Sequence, residues 1–321
     1  MRYIGPRKSW LGGGVLGGLV LAASSAAYGQ DPLGQGAGHK TAEELVAVRT
    51  VVDVTSIAPG QTFHLAVIFD IEPQWHIYWK NPGEGAPPPT LAIEVPKGFE
   101  VGEVRWPRPI VVQSPIGPTY VYENQAALFV PITAPDDLMD GSATIRADIR
   151  WAVCKAVCLL GRGRWSVDVR TVSGASQTDP VPVSAADPVL ARLKKRLPEP
   201  LAKAAGSSAE FDGTMLTITG PAMGRSVLTF FPGAAPGVSY GDPTVTIEAD
   251  RFRVEVAVQI NRRNTLGKRV VLSGLVALGP EDDDPSYDFR VDLSNDDRPE
   301  SRFHRDRGQR KSSGMLDSNG A

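Results

Sequence analysis

The chain has 321 residues, with 34 basic and 36 acidic side chains, 33 Gly, 27 Pro, two Cys and 42% hydrophobic residues. Such a composition excludes collagen-like, disulfide-dense and intrinsically disordered chains, and a formal net charge of −2 argues against a nucleic-acid surface, which needs an excess of Lys and Arg. At roughly 100 to 200 residues per domain, the length predicts two domains that each bury their own core.

Arg2, Arg7 and Lys8 precede an uncharged stretch, Trp10 to Ala27, and small residues follow near Ala27-Tyr28-Gly29. This pattern predicts a secretory signal peptide over residues 1–29; the glycines at 12–14, 17 and 18 leave too short an apolar core for a span of about 20 residues. The expected product is exported, periplasmic and soluble. Val46 to Val54 and Gln61 to Ile71 are strand-like but apolar on both faces. From Ala143 to Val153 the odd positions Ile145, Ala147, Ile149, Trp151 and Val153 oppose Arg146, Asp148 and Arg150. Trp165, Val167 and Val169 repeat this period of two, as do Phe252 to Val258 and Tyr287 to Leu293, which is the signature of half-buried strands.

One helix is predicted from Asp187-Pro188, with Asp187 as N-cap and Leu190, Leu193 and Leu197 on one face. It is expected as a linker over residues 185–204 between β domains at 40–175 and 205–295, with Arg192, Lys194, Lys195 and Arg196 as a solvated face. The Glu281 to Asp284 run has the look of an acidic turn, lacking the spaced ligands of a calcium loop. Residues 296–321 are polar and are expected to form a disordered tail. Strands divided by Gly- and Pro-rich turns predict an all-β protein of two antiparallel sandwiches.

Cys154 and Cys158 lie in WAVCKAVCLL, between two predicted strands. Extended, their Cα atoms would stand about 13 Å apart at roughly 3.3 Å per residue, whereas a disulfide requires about 4.4 to 6.8 Å. Lys155, Ala156 and Val157 must therefore curl as a tight loop or a single helical turn. So short a loop removes little unfolded-state entropy. Parity puts Cys154 on the polar face of Arg146, Asp148 and Arg150, near solvent, with Lys155 adding positive charge; both favour a reactive thiolate. Redox exchange, a structural bridge and soft-metal binding such as Cu(I) all remain open. His39, His64, His76 and His304 show no ligand spacing, so no metal centre and no cofactor are expected.

Four blocks in order, QWHIYWKNPGEGAPP from Gln74 to Pro88, Trp106-Pro107, Tyr120-Val121-Tyr122-Glu123 and WAVCKAVC from Trp151 to Cys158, resemble the N-terminal periplasmic domain of the thiol:disulfide interchange protein DsbD, particularly its ScsB-like branch. The resemblance is close over residues 40–175 and looser over 205–295. It implies immunoglobulin-like sandwiches and a pair, Cys154 and Cys158, that takes electrons from a membrane-embedded donor and passes them to oxidised periplasmic thioredoxin-like proteins. Either cysteine could attack first. The family's cap loop maps onto Gln113, Ser114, Pro115, Ile116 and Gly117 up to Thr119, just before Tyr120 and Tyr122, which together with Lys155 become candidate cap or partner contacts. Within the signature block, Trp75, Tyr78 and Trp79 are expected to pack, His76 to make a structural hydrogen bond, and Asn81-Pro82-Gly83 to form a turn. Relatives typically continue into a membrane domain and often a thioredoxin-like domain, whereas a polar tail is expected here, so the expectation is that the donor is a separate protein or the redox cycle is lost. Leu159-Leu160-Gly161 departs from the Ile-Pro-acidic sequence common in relatives, which puts the local partner surface in question. The competing expectations are a scaffold or binding module pinned by a structural bridge, and a Cu(I)-handling protein.

Overall fold

The computed structural model describes residues 40–114, 117–173, 188–261 and 269–293. The expected signal peptide and tail, the Asp187 cap and the cap-loop residues Pro115 and Ile116 lie outside the described residues.

The N-terminal half opens with a short helix, α1 (Ala42–Leu45), closed by a capping box between Thr41 and Glu44. Strands β1 (Val46–Val52), β3 (Thr62–Ile71), β9 (Gln125–Thr133) and β6 (Glu100–Val101) form one sheet in that order. The facing sheet runs β2 (Ser56–Ile57), β11 (Cys158–Thr171), β10 (Gly141–Cys154), β4 (His76–Gly83), β8 (Gly117–Glu123), β7 (Ile110–Ser114), with β5 (Thr90–Glu94) also pairing β10. Side chains alternating along each strand fill the space between the sheets: Phe63, Leu65, Val67 and Phe69 from β3 meet Ile145, Ile149, Trp151 and Val153 from β10.

The apolar outer face of β3 has its own cover. Ala66 and Ile68, with Ala127 and Phe129 of β9, pack beneath Leu190, Leu193 and Leu197 of α2 (Pro188–Lys195) and the turn after it. The helix expected as a linker thus also covers a sheet, and its basic face is solvated at Arg192 and Lys195 as expected but not at Lys194 and Arg196, which are partly buried in ion pairs. Lys194 Nζ lies 2.7 Å from Asp53, Arg192 donates to Gln125 Oε1 at 2.8 Å, and Arg196 pairs with Asp282 at 2.7 Å. Burial alone would raise the Asp53 pKa, but hydrogen bonds from His64 and Lys194 outweigh it and hold the carboxyl at about 2. The helix is thus fastened to the sheet by both apolar contact and charge.

The C-terminal half is a second antiparallel sandwich. Its sheets run β12 (Glu199–Pro200), β20 (Ser286–Leu293), β19 (Val270–Leu278), β15 (Leu228–Pro232) and β13 (Ser208–Phe211), β14 (Met215–Pro221), β18 (Arg251–Ile260), β16 (Val238–Tyr240), with β17 (Thr244–Glu248) on β18. Leu216, Ile218, Phe252, Val254, Val256, Leu272, Val276 and Leu278 form its core. The protein is all-β, two immunoglobulin-like sandwiches with few helical residues.

The two sandwiches touch directly. On β15, Phe230 faces the second core while its neighbour Phe231 joins the first, as the alternation of a strand requires. The Phe231 ring lies edge-on to Trp79 at 6.0 Å and to Tyr120 at 5.4 Å. Beside it Asn81 Nδ2 donates to Pro232 O at 2.8 Å. The buried Arg108 guanidinium donates to Leu278 O at 3.2 Å and Gly279 O at 2.6 Å.

Truncating Leu193→Ala should lower stability by about 2–5 kcal/mol, the usual cost of emptying a buried leucine site. Lys195→Ala, on the exposed side of the same helix, should change it by less than about 0.5 kcal/mol. Chemical denaturation of the two variants checks the difference; equal effects would return α2 to the status of a loose linker.

Candidate redox site

The site is built by the longest ladder in the fold. β10 and β11 pair antiparallel without a break from Gly141↔Thr171 to Cys154↔Cys158. The two cysteines form the last rung, with Cα atoms 4.1 Å apart, close to the roughly 4.5 Å of a non-hydrogen-bonded antiparallel pair. Strand pairing therefore delivers the sulfurs to each other, and they are joined as a disulfide. Of the two curled spacers expected, the tight loop is the one found: Lys155, Ala156 and Val157 make a three-residue hairpin loop, closed by Lys155 N donating to Val157 O at 3.1 Å.

The two sulfurs sit in different environments. Cys154 has 2% of its surface exposed and packs with Tyr78 and Val121, flanked by Ala86, Ile110 and Val112. Cys158 is exposed, as are all three loop residues. The expectation that Cys154 lies near solvent is corrected. Its parity with Arg150 holds, but at Cys154 that face is filled by side chains of the adjoining strands of the same sheet, Tyr78 of β4, Val121 of β8 and Ile110 and Val112 of β7. Ile110 and Val112 belong to no motif in the sequence, and Val121 only to the Tyr120-Val121-Tyr122-Glu123 block, yet all three lie on this second apolar face.

Several candidate residues fall around this cover. Gln113, Ser114 and Gly117 lie at the end of the β7–β8 hairpin, where Gln113 pairs with Pro118 and Ser114 Oγ donates to Gly117 O at 2.7 Å. His76 stands opposite Cys154 in the β10–β4 register, and its Nε2 lies 3.2 Å from the Tyr78 hydroxyl. Burial lowers the His76 pKa, opposed in part by Glu123, so the ring is neutral near pH 7. Lys155 Nζ reaches Gln74 Oε1 at 2.5 Å.

Other candidates are placed elsewhere. Tyr120 and Tyr122 point to the opposite face from Val121 and are buried in the main core, Tyr122 with its hydroxyl on Pro107 O at 2.8 Å; as partner contacts they are corrected. Trp79 is fully buried against Tyr120 and Phe231, and Trp75 packs at the core margin. Asn81, Pro82 and Gly83 make the expected turn hydrogen bonds, with Gly83 N donating to Asn81 Oδ1 at 3.2 Å and Gly85 N donating to Pro82 O at 3.2 Å. They are also the bulged end of β4, where the register with β8 shifts between Tyr78 and Gly83. Gly83 has φ +61°, and a Cβ there would meet Pro118 O at 2.2 Å, so only glycine fits.

After reduction, a small alkylating agent should modify Cys158 well before Cys154, because only Cys158 is exposed. Mass spectrometry of briefly labelled protein reads the order, and equal labelling would mean that the cover over Cys154 opens freely.

The family model described as the N-terminal part of the thiol:disulfide interchange protein DsbD matches residues 42–168, the span that contains both cysteines. Among solved structures, the N-terminal periplasmic domain of ScsB from Proteus mirabilis superposes with a TM-score of 0.50 at 17% identity, covering 77% of this chain and 92% of that one. The N-terminal domain of Neisseria meningitidis DsbD in its reduced form matches at 12% identity and a TM-score of 0.25, covering 42% of this chain and 89% of that one. No curated protein sequence matches the chain. Among the described residues no helix is long and apolar enough to cross a membrane. Residues 42–168 thus form a DsbD N-terminal-like domain, of the thiol–disulfide interchange type, with its two cysteines joined as a disulfide.

Proposed function

We propose that the chain is a periplasmic thiol–disulfide exchange protein that relays reducing equivalents through Cys154 and Cys158. In this reading it is loaded by a separate membrane-embedded donor and discharged by oxidised thioredoxin-like acceptors. The observation that carries it is the asymmetry of the pair, one sulfur exposed at a hairpin tip and the other buried beside it. A staple has no use for that arrangement, and a three-residue loop adds little stability.

The asymmetry supports an order of events. A donor thiolate attacks Cys158 Sγ, the accessible sulfur, forming a mixed disulfide while Cys154 departs as a thiolate. The donor's second thiolate then attacks its own partner sulfur and releases Cys158, leaving both cysteines reduced and the donor oxidised. In discharge the Cys158 thiolate attacks an acceptor disulfide, and Cys154 resolves the mixed species by re-forming the internal bond. Neutral His76, hydrogen-bonded to Tyr78, gives the buried Cys154 a nearby group able to take up a proton.

Trapping tests this order. Cys154→Ser should accumulate a mixed disulfide with an exchange partner through Cys158, since the resolving sulfur is gone. Cys158→Ser should trap little or none. Equal trapping by both variants would contradict the assigned order, and no thiol-dependent adduct with either, in periplasm that contains the partners, would favour a structural bridge.

A further inference from the structure

The ladder continues away from the disulfide on the same face, and its next rungs are unusual. Beside Cys154↔Cys158 stands Ala152↔Leu160, and beside that Arg150↔Arg162. Leu160 is 81% exposed, and Val157 in the loop is 61% exposed. A single exposed leucine is ordinary, but this one stands between the reactive sulfur and two arginines set directly across from each other. Like charges on facing positions destabilise a sheet. The following rung shows the usual solution, with Arg164 Nε 3.0 Å from Asp148 across the strands. Arg150 reaches the same Asp148 only at 3.7 Å, with its side chain 69% exposed. Glu43 is also near, and it accepts the backbone N–H of Arg162 at 3.1 Å. Arg150, Leu160 and Arg162 line an open groove of about 480 Å³ together with Glu43, Pro87 and Pro88.

We infer that this groove docks an acidic segment of the exchange partner, with Leu160 as its apolar contact and Arg150 and Arg162 as its charge contacts. This rests on the exchange reading above and adds the chemistry of the partner. The rungs are two residues apart, so the arginine rung lies about 14 Å from the disulfide at roughly 3.4 Å per residue. An extended segment whose cysteine reaches Cys158 therefore sets a carboxylate four residues away over the two guanidinium groups. Arginine forks suit carboxylates in two-pronged geometry, and a basic rim speeds encounter with an anionic partner.

The test oxidises the reduced full-length chain with short peptides, each carrying one cysteine as its mixed disulfide with 2-mercaptoethanol. Cys158 attacks the peptide sulfur and releases 2-mercaptoethanol; Cys154 then attacks Cys158, closing the internal disulfide and releasing the peptide thiol. Each rate is divided by the same protein's rate with the neutral hydroxyethyl disulfide. A peptide with Glu four residues from its cysteine should react on the order of tenfold faster than its Lys counterpart at low salt. The difference should collapse in about 1 M salt, where screening is near 3 Å. Arg150→Gln with Arg162→Gln should abolish the preference, and Arg150→Glu with Arg162→Glu should reverse it. Equal rates for the two peptides, or a preference unchanged in both double variants, would overturn the inference. So would self-association that the Glu variants abolish without any peptide preference, since the face would then belong to a second copy. If hydroxyethyl disulfide itself does not react, the exchange reading fails separately. The groove is then tested by titrating the disulfide form with the same peptides bearing Ser for Cys: binding of the Glu peptide over the Lys peptide sustains it, and equal binding rejects it.

Discussion

The unbroken register of β10 with β11 is the constraint from which the rest follows. Each residue from Gly141 to Cys154 has a fixed partner between Cys158 and Thr171, so a slip by one position would send every side chain to the wrong face. That register puts Ile145, Ile149, Trp151 and Val153 into the core and simultaneously brings the two cysteines to 4.1 Å. The large apolar face fixes the position of the small reactive rung. The chemistry thus rides on hydrophobic packing, and the disulfide contributes little to holding the ladder together.

A second dependence runs through β4. Its residues divide by parity: Ile77 and Trp79 enter the main core, while Tyr78 turns to Cys154. Trp79 also meets Phe231 of the second sandwich, and Asn81 at the bulged end of the strand bonds Pro232. One strand therefore contacts the buried sulfur, the core and the joint between sandwiches. The second sandwich is packed on the redox half by buried aromatic rings and by Arg108 on two carbonyls, which is a tight contact and not a tether.

Much of this was legible in the sequence where the signal was local. Period-two alternation gave β10, β11, β18 and β20, and the cysteine spacing required a curled spacer, leaving a tight loop and a helical turn both open until the strand register chose the loop. What escaped depended on contacts distant along the chain. Parity assigned Cys154 to the face of Arg150 correctly, yet only β4, β7 and β8 decide that this face is covered at Cys154 and open at Arg150. The apolar outer face of β3 showed as strand residues hydrophobic on both sides, but nothing local tied it to Leu190 and Leu193 more than a hundred residues away. Lys194 likewise looked solvated because its partner, Asp53, is 141 positions distant. Asn81-Pro82-Gly83 had the composition of a turn and makes turn hydrogen bonds, but its second role as the bulged end of β4 depends on pairing with the distant β8.

The central claim is that Cys154 and Cys158 are an exchange pair and not a staple. Its most direct test is the equilibrium reduction potential of the full chain in glutathione buffers, read as the fraction of thiol at each poise. An exchange pair titrates reversibly at a potential above about −300 mV, the level below which structural disulfides typically lie. A bond that stays closed across that range, with a potential below it, would make the pair a structural bridge and not an exchange pair.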